Sequence, residues 1–129
     1  MPNKIQKMKV TKIIYHITTG LMSLAMLFST YAYLANPQLK WAFQHLGFPD
    51  YFRIELAIAK FLAAIALWLP VRLIKEAAYI GLAISFISAV IAHIAVGDSI
   101  GHILYPAFVL MILIVSFIYY KKSFNQITK

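Results

Sequence analysis

The sequence predicts an all-α membrane protein, a bundle of four antiparallel transmembrane helices with both termini on the cytoplasmic side. The first observation is composition, because 62% of the 129 residues are hydrophobic and only 12% are charged. A water-soluble domain of this size needs far more polar surface, so much of this surface must face lipid. The second observation is that long apolar runs alternate with short polar turns, which makes neighbouring helices antiparallel. The third is an uneven placement of positive charge.

The predicted organisation is a single membrane domain over residues 1–129. Its first apolar run ends at Asn36-Pro37, because proline cannot continue the hydrogen-bond ladder of a helix. Residues 38–48 then form an interfacial segment with Trp41 as its anchor. The four spans are predicted at about residues 13–35, 52–69, 77–96 and 102–120.

Orientation follows from the basic residues. One side of the predicted spans holds nine of them, namely Lys4, Lys7, Lys9, Lys12, Arg72, Lys75, Lys121, Lys122 and Lys129. The opposite side holds Lys40 and Arg53. Cytoplasmic loops carry the excess of Lys and Arg in membrane proteins, so both termini are predicted in the cytoplasm.

Several classes of function are excluded by what the sequence contains. The net charge is +8, but the basic residues lie between and outside apolar runs, so nucleic acid is not an expected partner. There is no cysteine, which excludes thiolate catalysis, disulfide exchange and iron–sulfur ligation. Of the four histidines only His93 and His102 could share one ligand site. No metal is therefore predicted, and a bis-histidine haem is disfavoured.

Ionisable residues within the spans are the candidate site residues, because a charge at a helix centre costs roughly 2.5–3.5 kcal/mol to insert. Lys60 lies well inside the second span. Glu55 precedes it by five residues, which turns a helix by about 140° and places the two on different faces. Since adjacent spans run in opposite directions, Glu55 should lie level with His93. Lys60 can reach this depth by extending its side chain outward.

One polar, ligand-binding site in the outer third of the bundle is the resulting prediction. It is formed by Glu55, Lys60, His93, Asp98 and His102. Structural alternatives stay open for each residue. Asp98 could cap the fourth span, with Ser99 as the rival cap, and His102 could be interfacial. His93 could bond across helices, and Glu55 with Lys60 could form a buried salt bridge that fixes helix register.

The middle third of the chain resembles the DoxX-like family of small bacterial membrane proteins. The order of features is Glu55-x4-Lys60, Leu69-Pro70, Lys75-Glu76-Ala77-Ala78-Tyr79-x-Gly81, His93 and Val96-Gly97-Asp98. The resemblance implies a four-helix membrane bundle in the bacterial inner membrane. By matching position, the family pattern selects Glu55, Lys60, Lys75, Glu76, His93 and Asp98. The family takes its name from a subunit of a thiosulfate:quinone oxidoreductase, although most relatives have no established activity.

Three functions are compatible with these features. The first is binding of a quinone or another lipophilic ligand, with Lys60 as hydrogen-bond donor and Glu55 or His93 as proton acceptor. The second is a non-catalytic accessory or assembly subunit of a membrane redox complex, acting with a membrane partner or a second copy of the chain. The third is a proton-coupled transporter that uses Glu55 and His93. Whether the chain catalyses a reaction stays open, although activity of the chain alone is disfavoured, and a redox role would depend on bound quinone or a partner.

Overall fold

The computed structural model describes residues 3–128, and it describes side chains as far as Phe124. Within these residues the chain is helical and contains no strand, which confirms the all-α class. Lys129, one of the nine basic residues counted for orientation, lies outside the described residues. The helices are α1 (Lys4–Ala35), α2 (Pro37–His45), α3 (Asp50–Ala66), α4 (Arg72–Ala95) and α5 (Ile100–Thr128).

The ends of the helices follow from local sequence chemistry. Asn36 separates α1 from α2, and its side chain accepts a hydrogen bond from the Gln38 amide at 2.9 Å. The helices α2 and α4 both end at a glycine with positive φ, Gly47 at 87° and Gly97 at 75°. At each glycine the backbone makes the paired 6→1 and 5→2 hydrogen bonds of the Schellman motif. This motif reverses the chain within two residues.

The helix bounds differ from the predicted spans by three or more residues in four places, one of which is the start of α4 at Arg72, before the predicted residue 77. Helix α1 begins at Lys4, well before residue 13, and α5 continues past residue 120, because a helix satisfies its own backbone in water as well as in lipid. Helix α3 ends at Ala66, and short-range hydrogen bonds continue the turn to Leu69. Three helical segments are long and apolar enough to cross a membrane: Lys4–Ala35, Arg72–Ala95 and Ile100–Phe124. With 17 residues, α3 is shorter than these.

The four long helices form a closed ring. Helix α1 packs against α3 and α5, α5 packs against α4, and α4 returns to α3 through a lighter contact. The interior is filled by apolar side chains, of which Met22, Leu67 and Leu113 are at most 2% exposed. Large apolar residues also cover the outside, among them Leu24, Leu73 and Phe108. An apolar surface outside a filled core is the surface that lipid covers.

Candidate functional site

Lys60 is buried among helices in the half of the bundle where α1 ends. Its side chain leaves α3 and is only 6% exposed. The ammonium Nζ donates hydrogen bonds to Ser29 Oγ at 3.1 Å and to the Tyr33 hydroxyl at 2.8 Å, both on α1. Nζ also lies 4.2 Å from the centroid of the Tyr33 ring and 5.9 Å from that of Phe86 on α4. Three helices therefore surround one cation.

The partners of Lys60 are neutral. None of the ion pairs among residues 3–124 includes this ammonium, although carboxylates within 4.0 Å would count as partners. Hydroxyls and aromatic rings solvate a cation only in part. A lysine ammonium has three N–H donors, and two are used here. One N–H donor and the positive charge therefore have no acceptor and no counter-ion among the described residues.

Arg53 lies about two helical turns before Lys60 on α3, and its charge is balanced differently. It is 9% exposed, and its Nε donates to Asp50 Oδ1 at 3.0 Å. Its guanidinium also donates to the backbone carbonyl of Tyr33. The two cations therefore contact one tyrosine, Arg53 at its backbone carbonyl and Lys60 at its hydroxyl, but only Arg53 has a carboxylate partner. This contrast singles out Lys60.

Glu55 does not join Lys60. It is exposed on the outer face of α3, and it makes no hydrogen bond or ion pair with the described part of the chain. The five-residue spacing explains the separation, because the two side chains leave opposite sides of the helix. The two residues consequently form no salt bridge in this structure.

A second polar group lies where α2 meets the turn between α4 and α5. The His93 Nδ1 donates to Asp98 Oδ2 at 2.6 Å, and the His45 Nε2 donates to Asp98 Oδ1 at 2.8 Å. The ring of His102 stacks on that of His93 with centroids 5.8 Å apart. Ser99 Oγ contacts His102 Nδ1 at 3.0 Å. We call His45, His93, Asp98 and His102 the histidine cluster.

The chain reversal at Gly97 builds this cluster. The Asp98 amide donates to the His93 carbonyl at 3.0 Å. This hydrogen bond brings the Asp98 side chain back beside the end of α4. Hydrogen bonds from His93, and then from His45, hold the pKa of Asp98 below its ordinary value. The carboxylate thus stays ionised and accepts from two imidazoles. Within residues 3–124 no group of three or more His, Asp or Glu residues is arranged to hold a metal ion.

A buried chain of hydroxyls links the helices nearer the other end of the bundle. Ser116 is 0% exposed, and its Oγ lies 2.8 Å from Thr19 Oγ1 and 2.7 Å from the Tyr79 hydroxyl. Thr19 is on α1, Tyr79 on α4 and Ser116 on α5. One serine therefore bonds two neighbouring helices to α5. Such bonds fix helix register in an apolar environment.

The structure divides the predicted site into separate parts. His93, Asp98 and His102 are brought together, whereas Lys60 lies with Ser29 and Tyr33, and Glu55 stands apart. Sequence reasoning missed Ser29, Tyr33 and His45. A detectable signal existed for His45, because it lies two residues before Gly47, a glycine that ends a helix. Hydroxyl residues such as Ser29 carry no comparable signal.

The fold and these contacts define a helical membrane protein with polar groups buried in its interior. The model of the DoxX-like family matches residues 17–116. This match covers most of the chain, well beyond the middle third that carried the resemblance, and the chain belongs to the DoxX-like family. Neither the curated proteins nor the solved structures with which the chain was compared match it.

Proposed function

We propose that this protein binds the oxygen-bearing head group of a lipophilic ligand, such as a quinone, at Lys60. The carrying observation is a lysine ammonium that is 6% exposed and has only hydroxyl and aromatic partners among the described residues. A buried cation without a counter-charge is unfavourable unless something else solvates it. A ligand oxygen that accepts the third N–H would supply that solvation.

The surroundings of Lys60 suit an oxygen acceptor attached to an apolar body. Tyr33 accepts from the ammonium, so its own hydroxyl proton remains able to donate to a second ligand oxygen. The Phe86 ring, whose centroid lies 5.9 Å from the ammonium, adds an aromatic wall. A quinone combines carbonyl acceptors, a flat ring and an apolar tail, which matches donors placed against aromatic and aliphatic walls.

The histidine cluster supports a supplementary role in proton exchange. Each imidazole bonded to Asp98 uses one ring nitrogen, which leaves its other nitrogen able to accept a proton. His93 is seven residues beyond Phe86 on α4, a rise of about 10 Å. We propose that His93, rather than the exposed Glu55, is the acceptor nearest a ligand held at Lys60.

The membrane arrangement belongs to the same proposal. We propose one membrane domain in the bacterial inner membrane, with α3 as the fourth span, α2 at the outer interface and both termini in the cytoplasm. Helix α3 is about 26 Å long, and the turn to Leu69 adds the remaining depth. Because the chain has no cysteine, single-cysteine variants test the orientation directly. Ser99→Cys should react with a membrane-impermeant maleimide in intact cells, and Ser123→Cys should react only after lysis.

Native mass spectrometry on protein purified in mild detergent with a lipid and quinone extract tests ligand binding. We expect the wild type to retain a small molecule that Lys60→Met loses. Lys40→Met is the matched control, because Lys40 is an exposed lysine of α2 at the same end of the bundle. Equal retention by all three proteins contradicts the proposal. An empty wild type that instead retains a second protein would favour the accessory-subunit alternative, and pH-dependent flux in liposomes would favour transport.

A further inference from the structure

A second lysine occupies the interior at the end of the bundle where α1 begins. Lys75 of α4 is half-buried, and its Nζ donates to the Tyr15 hydroxyl of α1 at 2.7 Å. The same Nζ lies 5.2 Å from the ring centroids of both Tyr15 and Tyr120. Helices α1 and α4 lie across the ring from one another, so the Lys75 ammonium lies at the end of the bundle between α1, α4 and α5. We call this end, with Lys75, Tyr15 and Tyr120, the mouth of the bundle.

Lys75 also lacks a carboxylate partner within the described side chains. The nearest candidate in sequence is Glu76, but its carboxylate is bound to Arg72 at 3.0 Å and to Lys121. The Tyr120 hydroxyl makes no hydrogen bond with residues 3–124, and no unpaired polar atom of these residues is buried. Tyr120 as a whole is 8% exposed, so its hydroxyl keeps a small accessible surface, and it lies beside an ammonium with two N–H donors that have no acceptor among these residues.

The charge around this mouth is strongly positive. Besides Lys75, the cations Arg72, Lys121 and Lys122 lie at the same end, and Glu76 is the only acidic residue among them. Arg72, Lys121 and Lys122 each lie within 6 Å of an aromatic ring centroid, at 4.9, 5.5 and 4.8 Å. Aromatic rings and cations together at one depth are typical of a membrane interface. The exposed apolar side chains of α4 and α5 lie next to this ring of cations and aromatic residues.

We infer that this mouth is a binding site for the phosphate of an anionic phospholipid, with Lys75 and the Tyr120 hydroxyl as the donors. A phosphate oxygen accepts a charge-assisted hydrogen bond from the ammonium and a second hydrogen bond from the phenol. The acyl chains lie against the exposed apolar side chains of α4 and α5. Arg72 and Lys121 raise the local potential, since Glu76 neutralises only one of the two. The site is separate from Lys60, at the opposite end of the bundle.

Native mass spectrometry of the full-length protein in mild detergent, titrated with phosphatidylglycerol, tests this inference. We expect one phosphatidylglycerol to bind more tightly than phosphatidylcholine, and Lys75→Gln to raise its Kd about tenfold. Lys122→Gln is the matched control, because it removes the same charge from an exposed position at the same end. It should change the Kd less than about twofold, as a screened surface charge does.

Three results would overturn the inference. Equal affinity for the two lipids would remove the charge requirement, and equal losses in Lys75→Gln and Lys122→Gln would show attraction by net charge alone. Displacement of phosphatidylglycerol by millimolar glycerol 3-phosphate would assign the site to a soluble phosphate instead of a lipid. If Lys75→Gln does not fold, Tyr120→Phe decides: a Kd raised about two- to fivefold supports the site, and an unchanged Kd refutes it.

Discussion

Replacing Lys60 with methionine should stabilise the empty protein and at the same time abolish ligand binding. Methionine has a similar length and no charge, so it fills the same space between α1, α3 and α4. A residue kept only for folding would show the opposite, because its loss would destabilise the bundle. The two effects of this one substitution therefore distinguish a binding residue from a structural one.

The magnitude follows from the contacts of Lys60. A lysine within a transmembrane helix costs about 2.5–3.5 kcal/mol relative to an apolar residue. Its two hydrogen bonds to Ser29 and Tyr33 recover about 0.6 kcal/mol each. The position over the Tyr33 ring adds about 0.5–1 kcal/mol. The empty methionine variant should consequently be more stable by about 1 kcal/mol. Ser29 and Tyr33 are half-buried, so their hydroxyls can find other partners.

Bound ligand should reverse the order of stability of the wild type and Lys60→Met. A ligand present at 100 times its Kd stabilises the wild type by about 2.7 kcal/mol and the variant not at all. The wild type should then be the more stable protein, by roughly 1.7 kcal/mol. Equilibrium unfolding in mild detergent with increasing dodecyl sulfate, with and without a short-chain quinone, measures both differences. Lys40→Met should follow the wild type in both conditions. The reasoning is refuted if Lys60→Met is less stable than the wild type without ligand and gains the same stability from it.

Three further substitutions test individual contacts by the same unfolding assay. Asp98→Asn should lower the stability of the protein at pH 7. Because the pKa of Asp98 is depressed in the folded protein, the stability difference between wild type and variant has its full size above the ordinary pKa of 3.8. It disappears as the pH falls through the pKa of the folded protein. A difference that persists unchanged in strong acid would contradict this assignment. Ser116→Ala should cost about 1–3 kcal/mol of stability, because it leaves two buried hydroxyls without their shared partner. The control Ser88→Ala, on the exposed face of α4, should change stability by less than about 0.5 kcal/mol. Equal effects would mean that the hydroxyl chain carries no stability. Gly97→Ala should cost about 1–2 kcal/mol of stability because the φ of Gly97 is 75°. The control Gly81→Ala, with nothing within 4 Å of the added methyl, should be neutral or stabilising. A larger loss of stability in Gly81→Ala than in Gly97→Ala would exclude the backbone explanation.

Much of the fold could be predicted because it depends on local chemistry. The break at Asn36, the reversal at Gly97 and the apolar runs each follow from residues close together in sequence. The contact between His93 and Asp98 belongs to this class, because the reversal at Gly97 makes it. The different faces of Glu55 and Lys60 follow from helical periodicity alone.

The partners of the two interior lysines could not be predicted in this way. Lys60 meets Tyr33 and Lys75 meets Tyr15, and the two tyrosines are five helical turns apart on one face of α1, about 27 Å along its axis. That spacing is visible in the sequence, but it does not say which helix supplies each cation. Depth matching placed Lys60 near His93 because it orders residues along the membrane normal only.

The sequence by itself determined that this chain is a helical membrane protein of the DoxX-like family, because composition, hydrophobic run length and motif order are properties of the chain. Only the tertiary structure decided which side of each helix faces the interior. It therefore decided that Lys60 has neutral partners and that Asp98 accepts hydrogen bonds from His45 and His93. The physical reason is that lipid provides no hydrophobic drive to orient one helix toward another. Rotation about each helix axis is instead fixed by packing and by a few interhelical hydrogen bonds, which couple residues far apart in sequence.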